Sequence, residues 1–152
     1  MNHLLRAVTV SAALLGSACG AWAADSPEGN WRTIDDRSGF AKALVRIAKE
    51  ADGTYSGTIT KTIPRPDYTP QEFCHNCPAP YTGQKIVGLK ILSGLQVDPN
   101  NPNQLINGKV LDPLSGKLYN CKAKLSNEGR RLSIRGYIGV SMLGRTQVWL
   151  RD

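Results

Sequence analysis

The stretch that decides the fold is Gly136–Arg151, G-Y-I-G-V-S-M-L-G-R-T-Q-V-W-L-R. It reads as two extended segments joined by a Gly-rich turn, and it runs to within one residue of the last, Asp152. A strand there needs a partner that is already formed. The first strand, Asn30–Ile34, entered through Gly29-x-Trp31, is the natural one. Pairing first strand with last closes a sheet into a barrel and removes both edges.

The pattern between these ends agrees. From Gly29 onward, short strands alternate with turn signals at regular spacing, as in all-β barrels and sandwiches. Asp35-Asp36-Arg37-Ser38-Gly39 turns the first strand, its Asp supplying local hydrogen bonds and its Gly a positive φ. Ala43–Ala48 follows, with Val45 and Ile47 on one face. Asp52-Gly53 is a hairpin signal. In the third strand Tyr55, Gly57 and Ile59 alternate with Ser56, Thr58 and Thr60. The stretch from Ile63 to Gln84 breaks the rhythm with five prolines and reads as a long loop. The apolar run Ile86–Val97 suits a strand or a single helical turn equally. An exposed loop is expected over Asp98–Asn103. Leu105–Leu111 is a strand with Ile106, Gly108 and Val110 on one face. Asp112–Gly116 turns it. Leu118–Leu125 puts Tyr119, Cys121, Ala123 and Leu125 on one face, and Arg131–Tyr137 alternates about Leu132 and Ile134. Gln147–Arg151 completes about eight strands, enough for a closed antiparallel barrel that encloses side chains or one small ligand.

Upstream, Met1–Arg6 is basic, Ala7–Ala18 is apolar but too short to span a bilayer as a helix, and Ala21-Trp22-Ala23 fits the A-x-A cleavage rule. A signal peptide over residues 1–23 is expected, cut after Ala23, with the periplasm or the medium as destination. Lipidation at Cys19 is the rival, and it fits less well because Gly16 stands where a branched apolar residue belongs. The remainder is 152 − 23 = 129 residues, one domain over 24–152. Only Arg6 of the 19 Lys+Arg falls in the leader, and none of the 12 Asp+Glu does, so the remainder carries 18 − 12 = +6. That charge suits peripheral contact with an anionic envelope surface, but it equally keeps an exported protein soluble, and the scatter of the cations favours the second reading. The cations are scattered singly, with Arg130-Arg131 the one adjacent pair, and no nucleic-acid-binding motif is present.

Trp31 and Arg151 can meet at one end of a barrel closed first strand to last, where a guanidinium over an indole face would seal the floor. Gly29-x-Trp31, with an Arg just after Trp149, is similar to the calycin pattern of lipocalins and fatty-acid-binding proteins. A longer series of motifs resembles the bacterial family called domain of unknown function 2147. It comprises Gly29-Asn30-Trp31-x-Thr33-x-Asp35-Asp36-x-Ser38-Gly39, Cys74-x-x-Cys77-Pro78, Gly108–Pro113 with Ser115-Gly116-Lys117-x-Tyr119, and Gly136–Gly139 with Ser141, Leu143-Gly144-Arg145-Thr146 and Trp149. The resemblance implies a lipocalin-like barrel in the cell envelope and no established activity.

Cys74-His75-Asn76-Cys77 is not a haem-attachment site, because Pro78 stands where His is required. It is poor for zinc, with only His75 and distant Cys121 as further ligands. A redox role wants a helix N-terminus to lower the thiol pKa, and the prolines argue against one. A Cys74–Cys77 disulfide pinning the loop fits an exported protein best. A bond from either to Cys121 is the structural rival, and Cys121 otherwise reads as a buried thiol.

For chemistry, Asp35, Asp36, His75, Asp112 and Arg145 are the candidates. The acids are explained as turn formers, and no nucleophile–base constellation assembles, so no enzyme, cofactor or metal is expected. The leading expectation is a barrel that binds a small, partly apolar or lipid-like molecule. Tyr55, Ile59 and Tyr119 are wall candidates with Arg145 at the mouth, and Val45, Ile47, Ile106, Val110 and Ile134 complete the walls; plain core packing that leaves no cavity is the rival for all the wall residues. The alternatives are an envelope interaction protein acting through its basic surface or its 63–84 loop, and a thiol–disulfide role for Cys74 and Cys77.

Overall fold

The structure is a computed structural model and describes residues 25–126 and 128–152. The expected signal peptide and its cleavage point lie outside the described residues. Eight strands follow in order: β1 (Gly29–Ile34), β2 (Ala41–Lys49), β3 (Tyr55–Thr62), β4 (Lys90–Asp98), β5 (Asn101–Asp112), β6 (Lys117–Leu125), β7 (Arg131–Tyr137) and β8 (Arg145–Arg151). Each pairs antiparallel with the next. β8 returns to β1 with Trp31 opposite Arg151 and Thr33 opposite Trp149, so the barrel is closed. The fold is a lipocalin-like, all-β, eight-stranded barrel.

The up-and-down order puts the loops in two sets. The β2–β3, β4–β5 and β6–β7 turns lie at one end with the segment that precedes β1. The β1–β2 turn, the long 63–89 connection, the β5–β6 turn and the β7–β8 loop lie at the other. Alternation decides what faces inward: Ala43, Val45 and Ile47 on β2, Cys121, Ala123 and Leu125 on β6, and Leu132 and Ile134 on β7 are all buried. Trp31, Val45, Ile47, Leu95, Leu105 and Leu132 are 2% exposed or less and fill the barrel toward the β2–β3 end.

Two expectations from sequence change. The alternation puts Ile106 on the inward face of its strand, yet Leu105 is the buried residue and Ile106 is only half-buried. The register shifts between Leu105 and Gly108, and Asn107 there has φ 61°, so one extra residue in β5 exchanges the faces of its two halves. The exposed loop expected over Asp98–Asn103 is a tight turn at Pro99-Asn100, because β5 already begins at Asn101. Pairing with β6 starts only at Gln104, so Pro102 costs that ladder no donor, and the polar side chains project past the barrel end. The ambiguous run Ile86–Val97 resolves into loop up to Leu89 and strand from Lys90. Ile86 and Leu89 are buried anchors within the connection.

That connection is a structured loop. Cys74 and Cys77 form a disulfide and are both buried. Cys74 and Gln84 are joined by a backbone hydrogen bond, as are Glu72 and Ile86, giving a small hairpin held to β3 through Gly88 N to Ile59 O at 2.7 Å. The disulfide presses on the β5–β6 turn. A Cβ at Gly116, whose φ is +71°, would stand 1.8 Å from Asn76 O, so only glycine fits there.

Candidate functional site: a half-filled barrel mouth

Between the packed lower half and the four loops at the other end lies a cavity of about 360 Å³. Its walls are Ala43, Ile59, Ile91, Val110, Tyr119, Ile134 and Trp149 from the strands. Tyr68, Pro70 and Ile86 come from the long connection, and Ile138 and Leu143 from the β7–β8 loop. The volume exists because β2 and β7 place small residues here, Ala43 and Gly136, opposite medium-sized ones. At the other end the same strands carry Val45, Ile47 and Leu132.

Of the residues singled out from sequence, Ile59, Tyr119 and Arg145 come together on this cavity, as do Val110 and Ile134. Tyr55 does not. It starts β3 at the opposite end, against Leu95 and Lys49, and is part of the packed interior. Val45 and Ile47 likewise belong to solid core, and Ile106 is outside both. The physical reason is the same for all: strand alternation gives the inward face, and position along the strand separates cavity from core. Trp149 also lines the cavity, and in the sequence it stands out only as part of the Gly136–Trp149 motif. Its Nε1–H has no hydrogen-bond partner among the described residues. A buried donor left unpaired costs about 1–3 kcal/mol.

The rim is polar and internally paired. Arg145, at the start of β8, donates Nε to Asp36 Oδ2 at 2.6 Å and Nη2 to Asp36 Oδ1. Lys42 contacts Asp35 Oδ2 at 2.5 Å. The Lys42 ammonium and the backbone N–H groups of Ser38 and Arg37 hold the Asp35 carboxyl well below the usual carboxylate range. The Arg145 guanidinium does the same to Asp36, and Asp36 in turn raises Arg145. Asp112 caps its own turn through Leu114 N and Ser115 Oγ. The rim cations therefore carry their own counterions.

The disulfide stands behind one wall, with Cys74 Sγ 3.8 Å from Pro113 O. Neither sulfur sits at a helix N-terminus, the setting a redox pair would want. Cys121 is a free thiol inside the barrel, and burial pushes its pKa up to about 12. It is neither a bridge partner nor a ready nucleophile. Among the described residues, no group of three or more His, Cys, Asp or Glu gathers to hold a metal ion.

The opposite end is sealed. The Arg151 guanidinium lies 4.4 Å from the Trp31 ring centre and donates to three backbone carbonyls, Gly129 O, Glu28 O and Ser26 O, at 2.6–2.8 Å. Trp31 Nε1 donates to Pro27 O at 2.8 Å. Gly29, at φ +129°, leaves room for this arginine, because a Cβ there would stand 2.7 Å from Arg151 Nη1.

The profile of the family described as "Uncharacterized protein conserved in bacteria (DUF2147)" matches residues 29–151, the whole barrel. The chain belongs to the DUF2147 family. The DUF2147 barrel is similar to a solved structure described as protein HP1028 from the human pathogen Helicobacter pylori, which belongs to the lipocalin family. The two share 19% identity at a TM-score of 0.68, over 84% of this chain and 83% of that one. At that identity the likeness concerns the fold alone. No curated protein matches this DUF2147 chain.

Proposed function

We propose that this protein is an exported bacterial barrel that binds one small, largely apolar and uncharged molecule at its mouth. The observation that carries the reading is the cavity of about 360 Å³ at the loop end of the barrel, walled largely by apolar and aromatic side chains. Ligand pockets run from roughly 300 to 1,000 Å³ with apolar walls and few polar groups. The state of the rim argues for an uncharged ligand. Arg145 and Lys42 are already neutralised by Asp36 and Asp35, so a carboxylate ligand would have to displace a residue held by two hydrogen bonds. Tyr68, Tyr119, Tyr137 and Gln147 remain to bond a hydroxyl or carbonyl of the guest. Export is supported by the basic Met1–Arg6, the apolar Ala7–Ala18 and Ala21-Trp22-Ala23. A buried disulfide suits an oxidising compartment.

Native mass spectrometry tests the reading on protein purified from the periplasm of a producing bacterium, before and after organic extraction. The expected result is a discrete adduct lost on extraction, on a polypeptide lacking residues 1–23. A bare polypeptide in both samples, together with no uptake of apolar dyes by the extracted protein, would remove the enclosed ligand.

A further inference from the structure

We infer that the β7–β8 loop is a membrane-docking tip that seats the open end of the barrel on an anionic lipid surface. Four large apolar side chains stand in solvent on this one loop: Ile138 is 69% exposed, Val140 60%, Met142 85% and Leu143 84%. Scattered exposed apolar residues need no explanation, but four within six positions on a projecting loop form a patch.

The loop is held in shape. Ser141–Leu143 forms a 3-10 turn. Arg135 donates Nε to Ser141 O at 2.5 Å and Nη2 to Met142 O at 2.9 Å. Lys122 donates Nζ to Ser141 Oγ at 3.3 Å. Side chains on a turn braced in this way remain in water instead of collapsing onto the barrel.

The bracing groups identify the partner. Lys122 and Arg135 are directly opposite each other in the β6–β7 register, two cations side by side. Like charges across a strand pair repel. No carboxylate lies within ion-pair distance of either among the described residues, in contrast to Lys42 and Arg145 at the cavity rim. A close cation pair lacking a carboxylate, directly beneath an apolar tip, is complementary to lipid phosphates above acyl chains. A second copy of the chain placed face to face on the same patch would instead bring cation pairs together. Because Ile138 and Leu143 also line the cavity, docking by this loop turns the mouth toward the bilayer. An apolar guest could then pass between lipid and barrel with little exposure to water. The docking itself does not depend on the cavity being occupied.

Co-sedimentation of the purified protein with vesicles tests this, using phosphatidylcholine alone and phosphatidylcholine mixed with phosphatidylglycerol. The mixed vesicles should carry the protein down and the neutral ones should bind it far more weakly. Replacing two inserted side chains in M142S/L143S should weaken partitioning by about a hundredfold, and K122Q by about fivefold at low salt. Met142 and Leu143 are exposed and Lys122 is half-buried, and an unchanged Tm verifies the fold of both variants. Leu143→Trp provides a second readout, since its emission should shift to the blue on mixed vesicles. The cavity-filling variant Ala43→Phe should dock normally, which separates this proposal from the ligand reading. Wild-type protein left in the supernatant of mixed vesicles would overturn the proposal and leave the tip to a protein partner. So would full binding by M142S/L143S, or an L143W emission unmoved by bound vesicles.

Discussion

Arg151 is the register partner of Trp31 across the β1–β8 seam, and its guanidinium also covers the Trp31 ring at 4.4 Å. One side chain thus lies at the closing seam, covers the floor of the barrel and ties in both the N-terminal segment and the β6–β7 turn. Arg151→Ala removes the cation–π contact and leaves three carbonyls without their donor. It should cost about 2–4 kcal/mol and lower Tm by roughly 10 °C. Arg151→Lys keeps the charge but not the planar fork and should fall in between. Thermal unfolding followed by circular dichroism checks both; an Arg151→Ala protein as stable as wild type would mean that the seam closes without it.

Cys121 provides a pH test. Its pKa is raised by burial to about 12, so the native state keeps a proton that the unfolded chain releases from about pH 9. The unfolded state then binds fewer protons, and stability is lost as pH rises between 9 and 12, by up to about 1.4 kcal/mol per pH unit. Comparing wild type with Cys121→Ala isolates this loss from that of other titrating groups, and the gap in Tm should narrow as pH rises. In the same vein, the native thiol should resist alkylation at pH 8 and react once in denaturant.

Asp36 has its pKa depressed by Arg145, so the pair contributes above the normal carboxylate range and is lost as pH falls through the lowered value. An NMR titration should place the Asp36 midpoint below 3.8 and return it toward 3.8 in Arg145→Gln. An unshifted midpoint in wild type would show that the β1–β2 turn is not held by this bond in solution.

The disulfide closes only a short stretch of chain, so its entropic contribution is about 2 kcal/mol. Reduction should loosen the 63–89 connection while the barrel persists. Hydrogen exchange should rise at Cys74, Gly83 and Ile86, whose N–H groups hold that loop together, and stay slow in β6 and β7.

Filling the cavity should separate binding from folding. Ala43 lies between Thr33 and Thr62 in register, and all three line the cavity. Ala43→Phe should take up part of the empty volume and weaken apolar-dye binding several-fold, with Tm within a few degrees of wild type. Dye uptake unchanged in this variant would put the binding site elsewhere.

Much of this architecture was legible in the chain because its signals are local. Period-2 alternation marked β2, β3, β6 and β7, Asp52-Gly53 marked a hairpin, and the final strand had one natural partner. The site was legible only as a face. Tyr55 and Tyr119 both point inward, but Tyr119 reaches the cavity and Tyr55 the packed end, and nothing in the alternation distinguishes them. Ile106 failed for a different reason. The bulge at Asn107 exchanges inward and outward positions, and an Asn at positive φ has no sequence mark that separates it from an ordinary exposed Asn.

By itself, the sequence determined a closed antiparallel barrel of about eight strands, with the strand character of Ile86–Val97 left open, the long Pro-rich connection and the inward faces of most strands. These follow from spacing between near neighbours, which side-chain alternation and turn chemistry govern directly. Only the tertiary structure decided that the interior is packed at one end and open at the other, and that Asp36 meets Arg145 across 109 positions of chain. It also decided that the β7–β8 loop stands out from the rim above a cation pair. An empty volume and a long-range contact depend on strand registers added around the whole barrel. A single-residue shift such as that in β5 changes the answer without changing the local pattern.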